Sequence, residues 1–127
     1  MPVQAINHVQ LPFPVGTGPL IRHFYGELLG LPELSVGAAG AGNGALRFVA
    51  GGQRIDLVPS TGRAAGSVSH LALEVDGLPE LRQRLLDAQT AVVESSALPG
   101  YLRFFAKDPA GNQLEFLEPE QGGIFVD

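Results

Sequence analysis

The sequence predicts an α+β fold of two tandem βαβββ units, whose curled mixed sheets line a cleft with the helices on the outside. Three observations lead there. Gly52-Gln53-Arg54-Ile55-Asp56-Leu57-Val58 aligns with Gly111-Asn112-Gln113-Leu114-Glu115-Phe116-Leu117, a glycine and two polar residues followed by apolar, carboxylate, apolar, apolar. Upstream of each, Asn7-His8-Val9-Gln10-Leu11 matches Ser69-His70-Leu71-Ala72-Leu73. Between these landmarks both halves read strand, helix, then three strands. Duplication on this scale constrains the architecture before any single residue is considered.

Val3 to Leu11 reads as the first strand, closing at Pro12 and Pro14. Gly18-Pro19 opens a helix, because proline is tolerated in a first helical turn. Leu20, Phe24 and Leu28 recur at helical spacing, and Gly30 sits at the C-terminal cap. Glu33 to Val36 is a short strand. Residues 37–44 form a loop, since Gly, Ala and Asn offer little to pack. Ala45 to Ala50 and Gln53 to Val58 make a hairpin about a Gly51-Gly52 turn.

Pro59 to Gly66 joins the halves and the order then repeats. Val68 to Val75 is a strand, and Asp76-Gly77 starts a helix to Ala88 with Leu78, Leu81 and Leu85 on one face. Thr90 to Glu94 is a short β-branched strand. Leu102 to Ala106 and Asn112 to Leu117 pair around Asp108-Pro109-Ala110-Gly111. The expected organisation is one domain over 1–127: repeat one to about 59, the joint 59–66, repeat two over about 67–118 and a tail 119–127. Half of that length makes a poor domain alone, so the repeats should share one sheet system or one cleft.

Composition narrows the function. Thirteen acidic against eight basic residues give a net charge of −5 with no basic cluster, which disfavours nucleic acid and anionic membranes. No stretch is long and apolar enough to span a bilayer, and Met1-Pro2-Val3-Gln4 begins no signal peptide, so a cytoplasmic location is expected. The absence of cysteine excludes disulfides, thiolate metal sites and thiol nucleophiles.

Alternation orients the candidate site. Ile55 and Leu57 flank Asp56, and Leu114 and Phe116 flank Glu115, so each acid faces the cleft when the apolar pair faces the helix. His70 shares a face with Ala72, and His8 with Ile6 and Gln10. A lone histidine of this kind reads as a core residue bonded to a carbonyl. Two at equivalent places, with two carboxylates, favour a divalent metal held by nitrogen and oxygen. Arg54, on the face of Asp56, and Arg103 are candidates for holding an anionic substrate, or else surface guanidinium groups. Glu118 reads as a solvated end residue, Glu74 as surface, His23 as solvent-facing, and Tyr25, Phe104 and Phe105 as core. The glycine run lacks GxxxxGK and GxGxxG, so it reads as a mobile loop over the cleft and not as a nucleotide site.

Over essentially its whole length the chain resembles the vicinal oxygen chelate superfamily, the glyoxalase, bleomycin-resistance and extradiol-dioxygenase group. The pieces that carry the resemblance are Asn7-His8-Val9, Phe24-Tyr25-Gly26-Glu27-Leu28-Leu29-Gly30-Leu31, Ser69-His70-Leu71-Ala72-Leu73 and Asp108-Pro109-Ala110-Gly111-Asn112-Gln113-Leu114-Glu115-Phe116. The last is similar to the family's DPxGNxxE hairpin. The resemblance implies that His8, Asp56, His70 and Glu115 bind one divalent ion (Zn, Ni, Mn, Fe, Co or Mg). Glyoxalase-like members usually carry Glu where this chain has Asp56. The shorter aspartate could bind through water or act as a general base, with Glu115 the other catalytic carboxylate. The implied activity is a glyoxalase-like lyase or isomerase in which the metal stabilises an oxyanion or enolate on a small substrate. The alternatives are a non-haem Fe(II) dioxygenase and a metal-free drug-binding protein of the bleomycin-resistance kind; retention of the His and Glu positions argues against the second. A homodimer is also implied, with the ligands drawn from one chain or from both.

Overall fold

The computed structural model describes residues 2–34, 44–61, 70–95 and 98–120. The glycine loop at 37–43, the end of the expected strand at 35–36, most of the joint at 62–66 and the tail at 121–127 lie outside the described residues. The chain divides into two units, Met1–Gly66 with Pro109–Gly111, and Ser67–Asp108 with Asn112–Asp127. Each carries a mixed sheet and one helical segment, so the architecture is α+β as expected.

The first unit has β1 (His8–Pro14), α1 (Gly18–Arg22), β2 (Leu46–Ala50) and β3 (Gln53–Ser60), with the sheet ordered β1-β3-β2. β2 and β3 are the antiparallel hairpin read from the Gly51-Gly52 turn, whereas β1 lies parallel to β3 from His8↔Arg54 to Pro14↔Ser60. Described residues before His8 are not in a strand, and β1 runs through the prolines expected to end it. The reason is the phase of the ladder. The Val15 N–H donates to the Ser60 carbonyl, so the odd-numbered amides face β3, and Pro12 and Pro14 fall where no ladder donor is needed. The expected strand at Glu33 is reduced among the described residues to a bridge between Glu33 and Phe48.

α1 opens with Pro19 in its first turn, as expected, and then widens into a π-helical stretch over His23–Leu28, where the Leu29 N–H donates to the Phe24 carbonyl. The buried stripe is therefore not the one that regular helical spacing predicts. Leu20 is exposed, while Ile21, Phe24 and Tyr25 are buried, because the wider turn lets two consecutive aromatics face the sheet. Tyr25 stacks on Phe48 at 5.6 Å and meets Phe24 edge-on at 5.1 Å. Ile55, Leu57, Leu46, Leu11 and Phe13 complete this core.

The second unit has β4 (His70–Glu74), α2 (Leu78–Asp87), β5 (Val92–Glu94), β6 (Tyr101–Lys107) and β7 (Gln113–Pro119), with the sheet ordered β4-β7-β6-β5. β4 is parallel to β7, and β5-β6 and β6-β7 are antiparallel. Leu78, Leu81 and Leu85 of α2 are buried as their spacing predicts. Across the sheet Phe104 and Phe116 pack at 5.2 Å over Leu114.

One end residue reads differently in three dimensions. Glu118 accepts from the Gly77 N–H at 2.7 Å and the Leu78 N–H at 2.9 Å, so it caps α2 from the far strand. These two bonds hold its carboxyl below the usual range. Gly77 itself takes a φ of +88°, a left-handed conformation that suits glycine. The turn before β7 is tied by Asp108, whose carboxylate accepts from the Asn112 N–H at 2.9 Å and the Asn112 Nδ2 at 2.8 Å, with Gly111 at φ +92° between them. Both polar residues are buried, so this part of the motif serves the hairpin.

Candidate functional site

Strand alternation divides each sheet into an apolar face and a polar face. In the first unit Ile55 and Leu57 enter the core, and Asp56 turns the other way, beside Arg47 on β2 and Gln10 on β1. His8 and Arg54 are register partners one step along the same face. His8 Nε2 stands 3.9 Å from Asp56 Oδ2. Its other ring nitrogen, Nδ1, bonds to Asn7 Oδ1 at 2.8 Å. With Nδ1 carrying the proton in that bond, neutral His8 keeps Nε2 as an unprotonated donor atom, the orientation a ligating imidazole needs.

Asp56 is buried and fully engaged. Arg54 grips it with both arms of the fork, Nε to Oδ1 at 2.6 Å and Nη2 to Oδ2 at 3.1 Å. The bond to Asp56 pushes the Arg54 guanidinium further up. Arg47 Nε approaches Oδ2 to 3.6 Å. The sequence reading passed over Arg47, yet a two-residue turn at Gly51-Gly52 pairs 50 with 53 and therefore 47 with 56.

In the second unit Leu114 and Phe116 enter the core and Glu115 faces the polar side with His70 and Arg103. His70 Nε2 lies 2.7 Å from Glu115 Oε1, and Arg103 Nη1 donates to Oε2 at 3.1 Å. Burial pushes the Glu115 carboxyl up, but the bonds from His70 and Arg103 outweigh it and hold it below the usual carboxylate range. Phe105, expected in the core, is only half-buried and lies on this polar face. Its ring meets His70 edge-on at 5.8 Å and carries the Arg103 guanidinium 5.5 Å above its centroid. It also lines an open, mostly apolar depression of about 390 Å³ with Ala91, Val93, Lys107 and Gln113.

Each unit thus presents one imidazole beside one buried carboxylate, with arginine on the carboxylate. Within either unit the described residues gather no group of three or more His, Asp and Glu. The donor chemistry suits a divalent ion held by nitrogen and oxygen. The carboxylates differ in availability: Glu115 gives one oxygen to Arg103 and turns the other to His70, whereas both oxygens of Asp56 are bonded to Arg54. His8, His70 and Glu115 fit the role of ligands without loss of an arginine bond; Asp56 does not. Of the remaining residues, His23 is exposed and bonded to Glu27 at 2.8 Å, as expected, and Glu74 is at the surface. No described helix is long and apolar enough to cross a membrane.

Known structures repeat this arrangement of elements. A glyoxalase family protein from Bacillus anthracis is 32% identical, with 93% of this chain and 97% of that chain covered and a TM-score of 0.85. The lactoylglutathione lyase from Agrobacterium tumefaciens is 21% identical, with 98% and 100% covered and a TM-score of 0.73. A genomically encoded fosfomycin resistance protein from Listeria monocytogenes is 12% identical, with 94% of each chain covered and a TM-score of 0.75. At their identities the latter two share the fold alone. Among curated proteins nothing matches the sequence. Residues 5–116 match the profile of the Glyoxalase/Bleomycin resistance protein/Dioxygenase superfamily, and the chain belongs to that family.

Proposed function

We propose that the protein is a small glyoxalase-type enzyme, a metal-dependent lyase or isomerase acting on a small substrate with adjacent oxygens. His8, His70 and Glu115 would hold one divalent ion, with Asp56 kept out of the set by its two bonds to Arg54. The observation that carries this reading is the matched pair of contacts on corresponding strands, His8 Nε2 with Asp56 at 3.9 Å and His70 Nε2 with Glu115 at 2.7 Å. A bound ion would supply Lewis-acid stabilisation of negative charge on the substrate oxygens.

The chain's own groups divide the remaining work. Glu115, kept ionised by His70 and Arg103, presents Oε1 as a ligand atom or proton acceptor. Asp56 would have to release Arg54 before it could bind or take a proton, which supports Glu115 over Asp56 as the reacting carboxylate. Arg54 and Arg103 hold these carboxylates in place. The engagement of Asp56 also favours a second reading, a non-haem Fe(II) dioxygenase, because two His and one carboxylate are the ligands of that chemistry. A cytoplasmic homodimer is the proposed setting.

The experiment is metal titration of protein purified without a metal-affinity tag, using Mn, Fe, Co, Ni and Zn in calorimetry. About one ion per chain is expected, with most binding lost in His8→Ala and in His70→Ala while far-UV circular dichroism is unchanged. Wild type that binds none of these ions overturns the enzyme reading. Oxygen uptake by the Fe(II) form alone, in the presence of a catechol probe, would replace it with the dioxygenase.

A further inference from the structure

The polar face of the first unit holds more positive charge than its carboxylates absorb. The unit's described acids are Glu27, Glu33 and Asp56, and each is bonded to another group. Glu27 bonds to His23, and Glu33 receives Nε and Nη2 of Arg22 at 2.7 and 2.8 Å. Glu33 also pairs with Phe48, a core-facing residue, so it lies on the opposite face from Asp56. Asp56 has both oxygens bonded to Arg54.

Arg47 is the guanidinium left over. It stands opposite Asp56 in register, yet its Nε comes no closer than 3.6 Å, because Arg54 already occupies the carboxylate. Its side chain is only 23% exposed. Of the residues outside the described ones, only Asp127 is acidic, so segments 35–43 and 62–69 bring no counter-charge. Arg47 is held to Asp56 only by this loose ion pair, and none of its nitrogens is a buried atom lacking a partner, so its outer donors reach solvent and are open to a second anion. The planar fork matches a two-oxygen anion.

We infer that Arg47 is an anion-binding residue, taking a carboxylate, phosphate or phosphonate group of a small ligand beside His8 and Asp56. The inference deepens the enzyme reading above, since it places a charged end of the substrate next to a proposed ligand and rests on that reading for its catalytic meaning. The net positive charge of Arg47 and Arg54 over Asp56 holds with His8 neutral, so anion capture does not wait for a metal.

The test uses the full-length, metal-free protein and two probes, inorganic phosphate and acetate, followed by calorimetry and by amide shifts of β2 and β3. Saturable binding of at least one probe is expected, weakened tenfold or more in Arg47→Gln and partly restored in Arg47→Lys, which keeps the charge without the fork. A preference for phosphate or for acetate names the source of the oxyanion. Wild type that binds neither probe overturns the inference, as does affinity unchanged in Arg47→Gln or, where that variant does not fold, in Arg47→Lys. Metal titration separates the two claims: anion binding without metal binding refutes the enzyme reading alone, and metal binding without anion binding refutes this one alone.

Discussion

Replacing Arg103 with methionine removes the cation that holds one oxygen of Glu115 while keeping most of the apolar stem. The magnitude follows from what the guanidinium touches. Its Nη1 donates to Glu115 Oε2 at 3.1 Å, with the two side chains only 20% and 10% exposed, so this is a shielded bond and not a surface pair. A hydrogen bond to a charged partner contributes about 1.5–3 kcal/mol. The contact with the Phe105 ring at 5.5 Å adds about 0.5–1 kcal/mol. Together they predict a loss of about 2–4 kcal/mol at neutral pH, a large share of a typical domain's stability. The assay is urea unfolding of wild type, Arg103→Met, Glu115→Gln and the double variant, which isolates the pair's coupling.

The same cycle carries a pH signature. Glu115 sits below its ordinary value of 4.5 in the folded protein, burial being outweighed by His70 and Arg103. A depressed native pKa contributes stability that is fully present above the unfolded value and lost as pH falls through the native one. The coupling should therefore be about 1.5–3 kcal/mol while Glu115 is ionised and vanish in acid below its native pKa. Coupling under about 0.5 kcal/mol at pH 7, or coupling that survives full protonation of Glu115, would refute the reasoning.

Asn112→Ala removes a buried donor from Asp108 and should cost about 1–3 kcal/mol in thermal or urea unfolding; a change within about 0.5 kcal/mol means the hairpin does not depend on this bond. Glu118→Gln should lower the melting temperature and speed amide exchange at Gly77 and Leu78, because the capping charge is lost. Wild type should lose the same contribution as pH falls through the lowered native pKa of Glu118, and identical exchange at these two amides in the variant would argue against the cap. Asp56→Asn should retain metal stoichiometry where His70→Ala loses it; metal loss in Asp56→Asn would make Asp56 a direct ligand. Light scattering should give twice the chain mass, since each sheet ends in edge strands that associating proteins often pair or cover; a monomer at micromolar concentration contradicts the dimer.

Local periodicity made much of this molecule legible in the chain. The Ile55-Asp56-Leu57 and Leu114-Glu115-Phe116 alternations place acids opposite the apolar core, and the Leu78, Leu81, Leu85 spacing marks the buried face of α2, because both patterns depend only on neighbours in sequence. The hairpin about Gly51-Gly52 is equally local, and its register alone places Arg47 opposite Asp56. Even the family was readable, from short motifs kept in order and spacing.

What sequence could not supply is which charges meet. Arg54 reads as a candidate substrate cation or a surface guanidinium until the fold closes its fork on Asp56, and Glu118 reads as a solvated end residue until β7 lays it against the start of α2. Pro12 and Pro14 read as strand breakers until parallel pairing with β3 turns their missing donors away from the ladder. These outcomes depend on register between segments tens of residues apart, and on burial that converts a weak surface attraction into a shielded bond. Residue order sets the face on which each side chain stands; its partner is decided when distant strands come into register, because only then are distance and dielectric defined.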